Sequence, residues 1–441
     1  MLEENKKVLC LDLLKGEISP ALGCTEPAAV ALCAAGAAEL LGEKVEQVEV
    51  YVSEYILKNG MNVGIPGLDC TGLCMAAALG TVIAEPQKKL LILNGLTEED
   101  KHQALEMVKK DRVLVLLKKN VDKIYVAVKV VHGEHTAEAV IEKEHTSFVR
   151  KVKDKRIVWE MAGERNDNRY IKNADENTKY ERVSLQEIWE FVNTASDSSL
   201  AFLQEVIDMN MKAAEDGMKK DYGLHIGRIG IRENRAGLIG ADIANKAAFT
   251  TAAAVDARMG GGLLPVMSVA GSGNQGLTAT IPVIVTANEI GSSSEMLYRA
   301  LALSILITIH AKQYIGRLSV LCGCSIASAI GVSAAMIFLY GGSLEDMYAG
   351  IRTMTADISG MICDGAKPGC ALKIVTSVNA AARAAVLAIN GTGATGQDGI
   401  VQKNAEETLK NLGKLGNEGM SGTNGVILNM LLCKTNAENC G

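Results

Sequence analysis

Aromatic side chains are scarce, with two Trp, ten Tyr and five Phe among 441 residues. A core without them must be filled by Ala, Leu, Ile, Val and Met, and 44 glycines let backbones approach closely. Proline is also rare, at seven, which excludes collagen-like and polyproline architectures. No sign of charge dominates: 45 basic residues face 51 acidic ones, for a net charge of −6. Without a basic excess, nucleic acid is not expected as a partner. The N-terminal MLEENKK is polar, and no basic and apolar leader follows it. Eleven cysteines are too few, and odd in number, for a disulfide framework. Reduced thiols in a cytoplasmic protein are expected instead. Two signatures are absent as well: the phosphate-loop pattern and the His-Glu-x-x-His zinc pattern.

Hydrophobic residues make up 48% and charged residues 22%, a globular composition that excludes disorder. The length suggests two or three domains. The expected class is α+β, a large Ala/Gly-rich helical domain with an inserted smaller α/β domain. Residues 1–42 and 184–441 read as the helical part, 43–158 as the insertion, and 159–183 as a charged connector, within a charged stretch running over 150–185. In the insertion, VEQVEVYVSEYIL alternates like a strand, as do KKLLILNG, VLVLLKK, KIYVAVKVV and TAEAVIEKE. Thr97 to Lys110 reads as a helix opened by a capping box. Helices are expected over 184–220, 238–258, 293–315, 325–340, 344–362, 370–390 and 400–415. The run Leu318–Gly342 carries no charge for 25 residues, long enough for a membrane span. Its glycines, serines and two cysteines favour a buried helix, so no membrane partner is expected.

Gly271-Ser-Gly273-Asn-Gln-Gly276 matches a dinucleotide fingerprint, but Pro282 is expected to disrupt the helix that such a site requires. A loop whose amides, with Ser272, Asn274 and Gln275, hold a small carboxylate fits better. His132 and His135 read as an exposed turn, Cys70 and Cys74 as small core residues, and Cys10 and Cys33 as core. Cys363 and Cys370 stand seven apart across a loop with two glycines and a proline. Together with Cys324 they could gather a 4Fe–4S cluster with one iron free of protein ligands. Zinc, with Cys322 as a fourth thiol, or simple burial competes. A free iron would act as a Lewis acid on a leaving group, and Cys24, in a polar loop at a helix start, could be the base.

GCTEP at 23–27, KNGMNVGIPG at 58–67, AGSGNQG at 270–276, LCGCSIASAIG at 321–331 and MICDGAKPGC at 361–370 together resemble the L-cysteine desulfidase family. That group is related to the α part of iron–sulfur L-serine dehydratases. The resemblance implies a 4Fe–4S enzyme that eliminates hydrogen sulfide from L-cysteine, giving pyruvate and ammonia without pyridoxal phosphate. It implies cluster ligands Cys324, Cys363 and Cys370 and a general base at Cys24. Thr25, Glu26, Asn59, Asn62, Ser272, Gly273, Asn274 and Gln275 are the implied substrate contacts. Spacing leaves Cys322 and Cys324 both open; the dehydratase pattern favours Cys324. Cys433 takes the place of a C-terminal cysteine that caps the open iron in the dehydratases, and Lys367 adds a cation near the cluster. An L-serine dehydratase on the same cluster is the alternative. A membrane transporter and a zinc protein without turnover are the readings from other classes. The helices leave room for a homodimer interface.

Overall fold

The computed structural model describes residues 2–161, 183–233 and 237–438. The chain begins with helix α1 (Glu4–Glu17), strand β1 (Ile18–Ala21) and helix α2 (Thr25–Leu41). An α/β region follows: β2 (Gln47–Val52), α3 (Glu54–Gly60), α4 (Leu73–Ile83), α5 (Glu98–Lys109), β3 (Val113–Leu117), β4 (Tyr125–His132), β5 (His135–Glu142), β6 (Phe148–Lys153) and β7 (Arg156–Glu160). The helical remainder holds α6 (Leu185–Thr194), α7 (Asp197–Leu200), α8 (Leu203–Lys219), α9 (Ile226–Arg232), α10 (Ile243–Met259), β8 (Val266–Val269), α11 (Gly273–Glu289) and α12 (Ser294–Ile315). It ends with α13 (Gly323–Leu339), α14 (Leu344–Ile358), α15 (Cys370–Ile389), α16 (Ala405–Lys414) and α17 (Thr423–Glu438). The fold is α+β.

Six strands form one sheet in the order β3-β2-β4-β5-β6-β7, in which only β2 and β3 run parallel. Helix α2, rich in Ala and Leu, packs across this sheet with α4; its residues join Val48, Val50, Val126, Val128 and Ile141 in one core. A second core gathers α1, α6 and the bundle α11–α16. Small residues set the spacing there: an added Cβ at Gly331 of α13 would lie 2.3 Å from the Ser304 carbonyl of α12. Hydrogen bonds to one carboxylate tie the ends of this bundle. Glu406 of α16 accepts from buried His310 (2.6 Å), from Tyr314 (3.2 Å) and from the Leu185 amide (2.8 Å).

Several local expectations change in the structure. Residues 54–57, the end of the expected strand, instead open helix α3, because the Ser53 side chain accepts from the Ile56 amide and starts a helical turn. KKLLILNG, at 88–95, begins inside a 3-10 turn over Pro86–Leu91, entered by proline and broken at Lys89 by a positive φ of 48°. The start of the charged stretch forms the β6–β7 hairpin, whose Arg150 and Lys151 lean on Glu138 and Glu39. The remainder of the connector, 162–182, lies outside the described residues. Helix α11 opens at Gly273 and continues through Pro282. Ser304 donates to the Ala279 carbonyl (2.6 Å), beside the Thr278 carbonyl that proline leaves without its helical donor. The strand before α11 pairs only with β1, antiparallel, so the glycine fingerprint is not set in a parallel nucleotide-binding sheet.

The uncharged run from Leu318 yields a buried helix of 17 residues, short for a membrane span. Among the described residues one helix, Cys370–Ile389, is long and apolar enough to cross a membrane. His132 and His135 face each other across the exposed β4–β5 hairpin. Cys10 and Cys33 are buried, whereas Cys70 and Cys74 are only partly so.

Candidate active site

Two loops are zipped together at the head of α13. The Cys322 amide donates to the Met361 carbonyl (2.9 Å) and the Cys363 amide to the Val320 carbonyl (2.6 Å). Leu321 and Ile362 form the bridge between them. Cys322, Cys324 and Cys363 therefore face one space, and the turn through Gly365 brings in Cys370 at the start of α15. Gly365 takes a φ of +94°, and any Cβ there would stand 2.5 Å from the Lys58 carbonyl. The space is a small cavity of about 80 Å³, partly open to solvent.

The opposite wall comes from the other motifs. Cys24, Thr25, Glu26, Asn59, Ser272 and Asn274 line the same cavity, with Arg258, Asp364 and Lys373. Four sequence-derived candidates stand apart from this lining. Asn62 is exposed on the turn after α3. Gly273 is buried in the first turn of α11, and Gln275 turns into the core, donating to the Val269 carbonyl (3.0 Å). Cys433 lies exposed on α17, so it does not take the capping position expected of it.

Cys24 is the N-cap residue of α2 and is buried. Its Sγ donates to Glu26 Oε2 (2.8 Å), which also accepts from Thr25 (3.1 Å), while Asn59 donates to Oε1 (2.9 Å). A thiol at a helix N-terminus is expected to ionise easily. Here burial and the neighbouring Glu26 charge push it well above the usual thiol range, against the pull of Arg258. Burial would raise the Glu26 carboxyl too, but buried His145 and the donors Cys24 and Asn59 outweigh it and hold Glu26 down. The resting arrangement is thus a neutral thiol hydrogen-bonded to a carboxylate.

The thiols around the loops are unlike one another. Cys322 and Cys324 approach to 3.5 Å, and their hydrogen bond pulls Cys322 down to about 6 while pushing Cys324 up. Burial lifts Cys363, and lifts Cys370 to about 11. Lysines surround them. Lys58 is 1% exposed and donates to the Cys363 carbonyl (2.9 Å). Lys373 donates to the Ile362 carbonyl (2.7 Å) and pairs with Asp364. Lys312, lowered to about 8 by burial and Arg317, packs against Gly323. Lys367 pairs with Asp364 (2.5 Å). Among the described residues, no three His, Cys, Asp or Glu side chains close on a point fit for a single metal ion. The thiols ring a cavity instead. Four cysteine sulfurs lining one cavity and backed by buried lysines are a donor set whose chemistry fits an anionic iron–sulfur cluster.

Sequence reasoning missed Arg258, Lys58 and Lys312. Their signal was faint: a few charges set in apolar helices, as in AAAVDARM and ITIHAKQY.

The cavity thus joins a ring of thiols to a buried thiol–carboxylate pair, and the comparisons point to a lyase-type enzyme. The profile described as "Serine dehydratase alpha chain" matches residues 87–429, and the chain belongs to that family. The match takes in the four loop cysteines and the GSGNQG segment; Cys24 to Asn62 precede it. The chain is also similar over nearly its full length to proteins named "UPF0597 protein". One from Oleidesulfovibrio alaskensis is 41% identical over 427 residues, covering 96% of this chain and 97% of the relative. One from Clostridium perfringens is 42% identical over 427 residues, covering 97% and 98%. One from Bacteroides thetaiotaomicron is 39% identical over 437 residues, covering 98% and 99%.

Proposed function

We propose that this chain is a cytoplasmic, iron–sulfur-dependent lyase that eliminates hydrogen sulfide from L-cysteine, leaving pyruvate and ammonia. The observation that carries the reading is the single cavity shared by Cys324, Cys363 and Cys370 with the Cys24–Glu26 pair. Those three cysteines would hold a 4Fe–4S cluster. When bound, it supplies a Lewis-acidic iron for the β-substituent.

The chain's own residues do the rest. Glu26 Oε2 accepts the Cys24 thiol proton along the existing hydrogen bond, and Cys24 Sγ then takes the substrate α-proton. The electrons of that C–H bond form the Cα–Cβ double bond as the Cβ–S bond breaks. Sulfide departs with a proton, and the remaining enamine tautomerises and takes up water to release ammonia and pyruvate. Thr25 and Asn59 hold the Glu26 carboxylate in place throughout. No step calls on pyridoxal phosphate.

The second reading, elimination of water from L-serine, is favoured by the family's description. Anaerobically prepared enzyme assayed for pyruvate with each amino acid separates the two. A higher kcat/KM for L-cysteine supports the first, a higher value for L-serine moves the assignment to the second, and no pyruvate from either overturns both.

A further inference from the structure

We infer that Arg258 is the anchor for the substrate α-carboxylate, which makes the site specific for amino acids with a free carboxyl group. The inference rests on the proposed elimination and adds its recognition element. Arg258 lies near the end of α10, is 4% exposed and lines the cavity between Cys24 and Asn274. Its Nη1 donates to Asn274 Oδ1 (2.8 Å) and its Nη2 to the Gly23 carbonyl (2.5 Å). Nε has no partner. A guanidinium has five donors, so most of this one is unspent. Among the described residues no acidic side chain pairs with it. The nearest acid in sequence, Asp256, is two residues away on the helix and is turned to the Gly227 amide (3.0 Å). A buried cation without a counter-charge is costly, and an anion entering the cavity removes that cost.

The surroundings are shaped for this. Gly273 lies against the guanidinium; an added Cβ would fall 2.4 Å from Nε, 2.6 Å from Cζ and 2.8 Å from Nη2. The first-turn amides of α11 at Gly273 and Asn274 have no partner inside the helix and favour an anion. The bond from Arg258 to Gly23 fixes the residue just before Cys24. One side chain thereby ties the carboxylate anchor to the proton-abstracting thiol.

The test uses the anaerobic holoenzyme and L-alanine, which has the carboxylate but no leaving group. Titration calorimetry should show L-alanine binding and no binding of ethylamine. Arg258→Met should weaken L-alanine by about 100-fold, the scale of losing two charge-assisted hydrogen bonds. Arg258→Lys should restore part of that loss, since it keeps charge without the planar fork. Gly273→Ala keeps the arginine but displaces it, and should weaken L-alanine comparably. If Arg258→Met misfolds, Gly273→Ala carries the test. L-alanine affinity unchanged in both variants, or equal binding of ethylamine, overturns the inference. Iron and sulfide content of the same samples reports separately on the cluster, so failure of that reading is distinguished from failure of the anchor.

Discussion

Replacing Glu26 by Gln removes the acceptor of the Cys24 thiol proton while changing almost no volume. In the native site Oε2 accepts two hydrogen bonds, from Cys24 and Thr25, and Oε1 accepts one from Asn59. A carboxamide has one acceptor oxygen. If it faces the thiol, its NH2 group meets the Asn59 NH2 group, and a buried donor is left unmet at about 1–3 kcal/mol. The larger effect is chemical. With Cys24 held well above the usual thiol range by burial, an amide cannot take its proton. General-base assistance of this kind contributes about 10²–10⁴-fold. Glu26→Gln should therefore lower kcat for pyruvate formation by at least about 100-fold, with KM nearly unchanged because Arg258 and α11 remain. The visible absorbance of the cluster should be retained, since Glu26 is not one of the cysteine ligands. The pH profile of the native enzyme should add a second sign. Glu26 is held below the ordinary carboxylate range, so activity should persist as pH falls through about 4.3 and decline only below it. A Glu26→Gln enzyme with kcat within threefold of native would refute the thiol–carboxylate relay.

Further outcomes follow from other parts of the structure. Cys324→Ala should abolish cluster absorbance and Cys322→Ala should retain it; the reverse pattern would assign the ligand to Cys322, whose Sγ stands 3.5 Å from its neighbour. Gly331→Ala should destabilise the α12–α13 contact by about 1–3 kcal/mol in denaturant titration, because the new methyl meets the Ser304 carbonyl at 2.3 Å. Glu406 is only partly buried; that burial would raise its carboxyl, but its bonds from His310, Leu185 and Tyr314 hold it low. Its contribution is then full above the unfolded carboxylate value of about 4.3 and fades as pH falls through the lower folded value. Glu406→Gln should cost about 1–3 kcal/mol at pH 7 and progressively less in acid; a pH-independent difference would contradict this.

The cysteine loops were legible because chemistry and backbone breaks coincide in the sequence: Gly365, Pro368 and Gly369 force Cys363 and Cys370 to turn toward one another. The strands β3, β4 and β5 were legible from alternation and β-branched residues. Segments decided by one side chain were not. The Ser53 cap turns the end of the expected strand into helix, and α11 runs on through Pro282 inside the packed bundle, which no local pattern announces. The β1–β8 ribbon consists of two four-residue strands joined across 249 positions at Ser19 and Ser268, too short and too distant to read. The site's cations were hidden for the opposite reason. Charged residues read as solvated, and only the fold reveals that Arg258 is buried in the cavity wall and Lys58 behind Cys363. The thiol of Cys24 was misjudged because the sequence places it at a helix start but does not reveal how deeply it is buried.

The most direct test of the account is iron and acid-labile sulfide analysis of the chain purified without oxygen, alongside Cys363→Ala and Cys370→Ala. The account predicts a brown protein with about four irons and four sulfides per chain, lost in both variants. A colourless protein, or one holding a single zinc ion on these thiols, would contradict it.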